Sequence, residues 1–107
     1  METRSTPKTT LIRYRTRPAD ADDNARLIRD VFHRLSEVRP AGLRYAALRA
    51  ADASFYHLVM VESGLERSPL LELDAFRAFQ EGVRARCVEP PTPVEVTLLG
   101  AYRMVDA

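Results

Sequence analysis

The stretch LRYAALRAADASFYHLVMVE, residues 43–62, decides the fold of this chain. Apolar, aromatic and β-branched residues alternate with other residues on both sides of Asp52-Ala53, which is typical of two short strands joined by a tight turn. We therefore predict a β-hairpin with strands at 43–51 and 54–62.

The register of this hairpin depends on the length of its loop. With two loop residues, Leu48 faces His57 across the ladder, and Tyr45 shares a sheet face with Tyr56. A loop with an odd number of residues exchanges these pairings, because side chains alternate between the two faces of a strand. We take the two-residue loop as the expectation.

The segments around the hairpin complete a known pattern. Alternating segments are typical of strands and 3.6-residue periodicity is typical of helices. The further predicted elements are a strand at 9–17, a helix at 21–39, a helix at 75–87 and a strand at 94–104, with Pro90, Pro91 and Pro93 in a stiff connector before the last strand. The order β-α-β-β-α-β indicates an α+β, ferredoxin-like fold, in which a four-stranded antiparallel sheet carries two helices on one face.

The length of 107 residues fits one domain, which we place at residues 9–107. Residues 1–8 are polar and predict a disordered tail or an expression remnant. Every predicted strand carries large apolar groups on both faces, yet two helices can cover only one face. An antiparallel sheet with one solvated face should be polar there. We therefore predict a homodimer that packs through the open sheet face.

The composition excludes several classes of partner. The formal net charge is +1, which argues against a nucleic-acid partner held by a basic surface. No apolar run approaches the roughly 20 residues of a membrane span, and the N-terminal residues do not resemble a signal peptide. The expected location is the cytoplasm. Cys87 is the only cysteine, so neither an internal disulfide nor a cysteine metal cluster is expected.

The strongest candidate for chemistry is His57, which lies in a strand among aromatic residues. In a pocket it can act as an acid, a base or a hydrogen-bond donor; the alternative, which we favour, is a core histidine whose hydrogen bonds are satisfied by a neighbouring side chain or by the backbone. His33 is expected at the surface. Arg13 and Arg15 either hold an anionic ligand or, the reading we favour, pair with Glu62 or Glu95 across strands.

The whole pattern resembles the antibiotic biosynthesis monooxygenase-like (ABM-like) family of the dimeric α+β barrel proteins. The segments that carry the resemblance are the first strand TLIRYRTR, the end of the first helix VRPAGLRY, the hairpin, and SPLLELDAFRAFQEGV before and into the second helix. The resemblance covers residues 9–104 and rests on order, length and pattern.

The resemblance implies a two-fold dimer with a pocket between each sheet and its own helices. Some relatives oxygenate polycyclic aromatic compounds without a metal or a flavin, so no cofactor is expected. Haem-degrading relatives use a tryptophan together with an asparagine and a histidine. This chain has no tryptophan, which argues against haem degradation.

The function we expect from the resemblance is a cofactor-independent monooxygenase that acts on an aromatic or quinol-type molecule. His57 would be the base or hydrogen-bond donor, Tyr45 and Tyr56 would orient the substrate, and the pocket walls would be Phe55, Phe76 and Phe79. The alternatives are a non-catalytic dimer that binds a small apolar ligand or another protein, and an isomerase or decarboxylase that uses the same pocket.

Overall fold

The computed structural model describes residues 7–65 and 67–104 and shows the expected α+β fold. Its elements are β1 (Lys8–Thr16), α1 (Ala21–Val38), β2 (Leu43–Arg49), β3 (Ser54–Val61), α2 (Asp74–Arg86) and β4 (Cys87–Val96), with short 3-10 turns at Pro18–Asp20 and Pro69–Glu72. The strands form one antiparallel sheet in the order β2-β3-β1-β4.

Most of the predicted N-terminal tail, residues 1–6, lies outside the described residues, and Lys8 already belongs to β1. Within the described residues, no helix combines the length and the apolar character needed to cross a bilayer.

The core lies between the two helices and one face of the sheet. On α1, Ala21, Ala25, Ile28 and Val31 recur at helical spacing and are buried, which is the reason this amphipathic segment forms a helix against the sheet. Helix α2 contributes Phe79 and Val83. The sheet contributes side chains that alternate along its strands, and these include Tyr14, Phe55 and His57.

The hairpin loop has three residues, so the predicted two-residue register is wrong. Ala50 N donates to Ser54 O at 2.8 Å, and Ala53 lies in the left-handed region with φ of 70°. Asp52 Oδ1 accepts a hydrogen bond from Ser54 N at 2.9 Å, which stabilises the turn. As a result Ala47, not Leu48, faces His57. The extra residue turns the side chains of β2 over, so that Tyr45 shares the face of His57.

The last strand also begins earlier than predicted. β4 follows α2 directly and runs over Cys87–Val96, whereas the sequence predicted a strand at 94–104. Proline has no N–H to donate to a neighbouring strand. The prolines of β4 are tolerated because β4 is an edge strand, so a residue whose nitrogen faces solvent needs no such hydrogen bond. Two irregularities in the pairing with β1 accommodate this segment. They also set the partner of Arg13 and Arg15, which is Glu89 rather than Glu62 or Glu95.

Helices cover one face of the sheet, and the other face stays uncovered within the described chain. We call this second surface the open face; its apolar and aromatic residues are Leu11, Ala46, Leu48, Tyr56, Leu58, Met60 and Val94, and Arg13 and Arg44 lie on the same side of the sheet. Leu48 is 56% exposed. Apolar residues after β4 are exposed as well, and Leu99 reaches 96%. An apolar face left uncovered by the helices was predicted from the sequence, but the predicted register wrongly assigned Tyr45, rather than Leu48, to the face of Tyr56.

The end of α1 provides a stability prediction. Arg39 closes the helix in the left-handed region with φ of 50°, where its N–H donates to Leu35 O. Glycine adopts this conformation without a Cβ clash, so Arg39→Gly should stabilise the fold by about 1 kcal/mol. Urea unfolding at fixed protein concentration measures the effect. Arg39→Ala, which keeps the Cβ, is the matched control, and equal stability of both variants would contradict the explanation.

Candidate functional site

His57 lies between two tyrosines on the helix-covered face of the sheet. Its side chain is almost fully buried, with the residue 3% exposed. The Tyr14 hydroxyl lies 2.8 Å from Nε2, and the Tyr45 hydroxyl lies 2.6 Å from Nδ1. Because β3 sits between β1 and β2 in the sheet, each neighbouring strand supplies one tyrosine, and both ring nitrogens are hydrogen-bonded.

Two residues from the helices extend this arrangement. Asn24 on α1 is fully buried, and its Nδ2 donates to the Tyr14 hydroxyl at 2.9 Å. Arg86 at the end of α2 donates from Nε to Asn24 Oδ1 at 3.0 Å and from Nη2 to the Phe79 carbonyl at 3.1 Å. We call the continuous chain Arg86–Asn24–Tyr14–His57–Tyr45 the His57 network.

Burial keeps the centre of the network uncharged at neutral pH. It lowers the pKa of His57 to about 4, because the imidazolium would lose its hydration. It raises the pKa of Tyr14 and the pKa of Tyr45 well above their usual range for the same reason. A neutral imidazole with so low a pKa is a weak base. The arrangement is therefore suited to hydrogen bonding rather than to taking up a proton.

A cavity of about 100 Å³ lies against His57, Tyr14 and Tyr45 and is walled by apolar side chains of α2. A second cavity of about 380 Å³ opens beside it, between β1, β3 and the 3-10 turn at Pro69–Glu72. Both cavities are lined by Ile12, Val59, Phe76 and Gln80. The two spaces therefore adjoin, and together they reach the size at which small-molecule sites begin.

The structure brings together four of the six residues predicted for the site. His57, Tyr45, Phe76 and Phe79 line the cavity of about 100 Å³. Phe55 lies deeper in the core, where it stacks on Tyr14 with ring centroids 5.5 Å apart. Tyr56 faces the opposite side of the sheet, because it follows Phe55 and precedes His57 on the strand. It belongs to the open face instead.

Three residues of the network were not predicted from the sequence as part of the site: Tyr14, Asn24 and Arg86. Asn24 gave a signal, because it is the only asparagine and follows Ala21 by three residues on the apolar stripe of α1. A polar residue on a buried stripe needs a hydrogen-bond partner. The sequence gives no sign that Arg86 belongs to the site, because an arginine at a helix C-terminus is common on protein surfaces.

The other candidate side chains lie apart from the network. His33 is exposed beside Glu37, as expected. Arg13 and Arg15 pair with Glu89, so the interstrand pairing was predicted with the wrong partner. Burial raises the pKa of the Cys87 thiol, which makes it less reactive. Within residues 7–65 and 67–104, no cluster of three or more metal-ligating side chains is present.

Solved structures share this architecture over nearly the whole chain. A protein from Nitrosomonas europaea named "putative antibiotic biosynthesis monooxygenase" matches with a TM-score of 0.72 and 14% identity, over 92% of this chain and 96% of that one. A protein of the same name from Bacteroides thetaiotaomicron matches with a TM-score of 0.75 and 12% identity, over 94% and 97% of the two chains. The chain has the ABM-like fold. A further structure with this fold, a Nitrosomonas europaea protein of unknown function, matches with a TM-score of 0.70 and 18% identity, over 94% and 97%.

No protein-family model matches the chain, and no curated protein does. At identities of 12–18%, the ABM-like fold is what the comparisons establish. The function must be argued from the side chains that this chain places in the cavity.

Proposed function

We propose that this protein binds an aromatic or quinol-type small molecule between its sheet and its helices, and oxygenates it without a metal or an organic cofactor. The observation that carries the proposal is the His57 network, which ends in an apolar cavity walled by Phe76 and Phe79. Apolar walls with a few convergent polar groups are typical of small-molecule sites. The names of the structural neighbours agree with this choice of reaction.

The reaction needs no external reductant if the substrate supplies the electrons. A methylene group conjugated to a phenol loses two hydrogens and becomes a carbonyl: one oxygen atom of O₂ bonds to that carbon, and the other leaves with the two hydrogens as water. In a hydroquinone, one oxygen atom of O₂ bonds to a ring carbon and the substrate becomes a hydroxyquinone, while the other oxygen atom leaves as water with the two hydrogens that the substrate loses. The substrate is oxidised by four electrons, and O₂ is reduced by four. In this scheme the protein holds the aromatic rings and steers proton movement through hydrogen bonds at the phenolic oxygen.

Oxygen uptake tests the proposal. The wild-type protein should consume oxygen with naphthacenone-like or hydroquinone substrates, and His57→Ala should lower the rate by about 100-fold, the scale of a lost acid–base or hydrogen-bonding group. His33→Ala is the matched control, because it removes an exposed histidine far from the cavity. Equal background uptake by wild type and His57→Ala would eliminate this enzymatic role for these substrates.

A non-catalytic role in ligand binding is the second candidate. It is favoured by the hydrogen bonds at both ring nitrogens of His57, which leave the imidazole no nitrogen to abstract a substrate proton. In this reading the protein holds the same class of aromatic ligand in the same cavity, and only the oxygen uptake is absent.

We also propose that two copies pack through the open face. The apolar character of this surface supports the proposal, since a water-exposed sheet face should be polar. Leu58, near its centre, pairs across the ladders with Leu11 and Ala46. A second copy is the occupant we propose, because one surface packed about a two-fold axis is complementary to itself. The cytoplasmic location stays a prediction from the sequence.

A further inference from the structure

The hydrogen bonds of the His57 network have a single direction, and that direction begins at Arg86. A guanidinium has only donors, so the Asn24 atom that faces Arg86 Nε at 3.0 Å is the amide oxygen. The Asn24 amide nitrogen must then face Tyr14, where it donates to the hydroxyl oxygen. The orientation of Asn24 is therefore fixed by chemistry.

The Tyr14 hydroxyl next decides the tautomer of His57. Tyr14 is 1% exposed, and it already accepts from Asn24. If it also accepted from Nε2–H, its own proton would stay buried without an acceptor, which is costly. If it donates to Nε2 at 2.8 Å, its proton has an acceptor. Neutral His57 then carries its proton on Nδ1 and donates to the Tyr45 hydroxyl at 2.6 Å.

Tyr45 is the end of the network and differs from Tyr14 in its surroundings. It is half-buried, and it lines the cavity beside His57. It also lines a third cavity, which has a volume of about 380 Å³ and lies between α1 and β2. Its oxygen accepts from His57, so its own proton is available to a ligand in the cavity. The hydroxyl is also polarised, because a hydrogen bond that a group accepts strengthens the one that it donates.

We propose that Tyr45 is the residue that recognises the ligand, and that it donates a hydrogen bond to a carbonyl or phenolate oxygen on an aromatic ring system. His57 does not touch the ligand; it is a positioning residue that holds the Tyr45 proton toward the cavity. This inference rests on the proposed function for the presence of an aromatic ligand. The inference adds that the ligand must carry an oxygen atom that accepts a hydrogen bond. It also makes Tyr45, instead of His57, the residue that contacts the ligand.

The tautomer can be measured without any ligand. In a His33→Gln background with ¹⁵N-labelled histidine, long-range ¹H–¹⁵N correlation spectra at neutral pH should show Nδ1 protonated and Nε2 unprotonated for His57. Asn24→Asp should reverse this. A carboxylate accepts from both Arg86 and Tyr14, so Tyr14 would then accept from Nε2–H. An Nε2–H tautomer in the Asn24-containing protein, or no reversal in Asn24→Asp, would overturn the inferred direction.

Recognition is tested with two probes, 1-tetralone and tetralin, which differ in one carbonyl group. Wild type should bind 1-tetralone more tightly, and Tyr45→Phe should weaken that binding by roughly 3- to 10-fold, the scale of one hydrogen bond. Binding of tetralin should not change. Equal binding of both probes, unaffected by Tyr45→Phe, would overturn the role of Tyr45 and leave an aromatic site in place. Failure of wild type to bind either probe would overturn the proposed function and the recognition role together, while the spectra still decide the tautomer.

Discussion

Lysine in place of Leu58 should convert the dimer that we propose into a monomer at micromolar concentration. Leu58 lies on β3, an inner strand, and is flanked on the open face by Leu11 and Ala46. If each subunit buries about 500 Å² of apolar surface there, the gain is ~25 kcal/mol for the dimer before the cost of association. A buried, unpaired ammonium in each subunit should weaken association by at least about 100-fold.

Sedimentation velocity and unfolding measurements separate this effect from misfolding. Val38→Lys is the matched control: Val38 is an exposed apolar residue at the end of α1, outside the open face. It should leave the dimer intact, because lysine is tolerated at a helix C-terminus. A wild-type protein that sediments as a monomer, or a Leu58→Lys variant that stays dimeric, would show that the two copies do not pack through this surface.

The second large effect is a loss of stability in mild acid, which should depend on His57. The pKa of His57 is about 4 in the folded protein against 6.5 as the ordinary value. The unfolded chain therefore binds the extra proton first, so stability falls as pH decreases from about 7 to about 4 and the loss is complete below that. The total is about 3 kcal/mol, of which about 2 kcal/mol is lost by pH 5.

The window between pH 7 and pH 5 isolates this contribution. The carboxylates of Glu37, Asp52 and Glu89 have lowered pKa values, so they titrate at lower pH. Urea unfolding at fixed protein concentration should show that the free energy of unfolding falls between pH 7 and pH 5 in wild type and in His33→Gln. In His57→Gln it should stay constant over the same range. Tyr14 and Tyr45, which face His57, stay neutral throughout. If the free energy of unfolding still falls with pH in His57→Gln, the loss of stability belongs to another titratable group.

The predictions of the fold succeeded where local pattern decides the structure. The 3.6-residue stripe of α1 and the alternation of β1 and β3 fix which segments are helix and strand, and their order gives the topology. A fourth strand was predicted, but its bounds were wrong because the prolines were taken to exclude a strand. They exclude an inner strand, but the position of β4 at the edge of the sheet is a property of the whole fold.

The hairpin shows how a single backbone conformation changes the site. The sequence offers Asp52-Ala53 as the turn, and neither residue requires a positive φ. In the structure Ala53 nevertheless adopts it, which lengthens the loop by one residue and turns β2 over. Tyr45 thereby faces His57 instead of the open face. A one-residue change of register moves every side chain of a strand to the other face.

By itself, the sequence determined the four strands and two helices, their order, an apolar open face, and His57 as the side chain around which chemistry could be built. The tertiary structure alone decided the partners of His57. Tyr14 is 43 residues away from it in sequence, and Arg86 is 62 residues away from Asn24. Hydrogen bonds between such distant residues depend on strand register and on the rotation of each helix about its axis. Both are fixed by the packing of the whole core, so no local pattern encodes them.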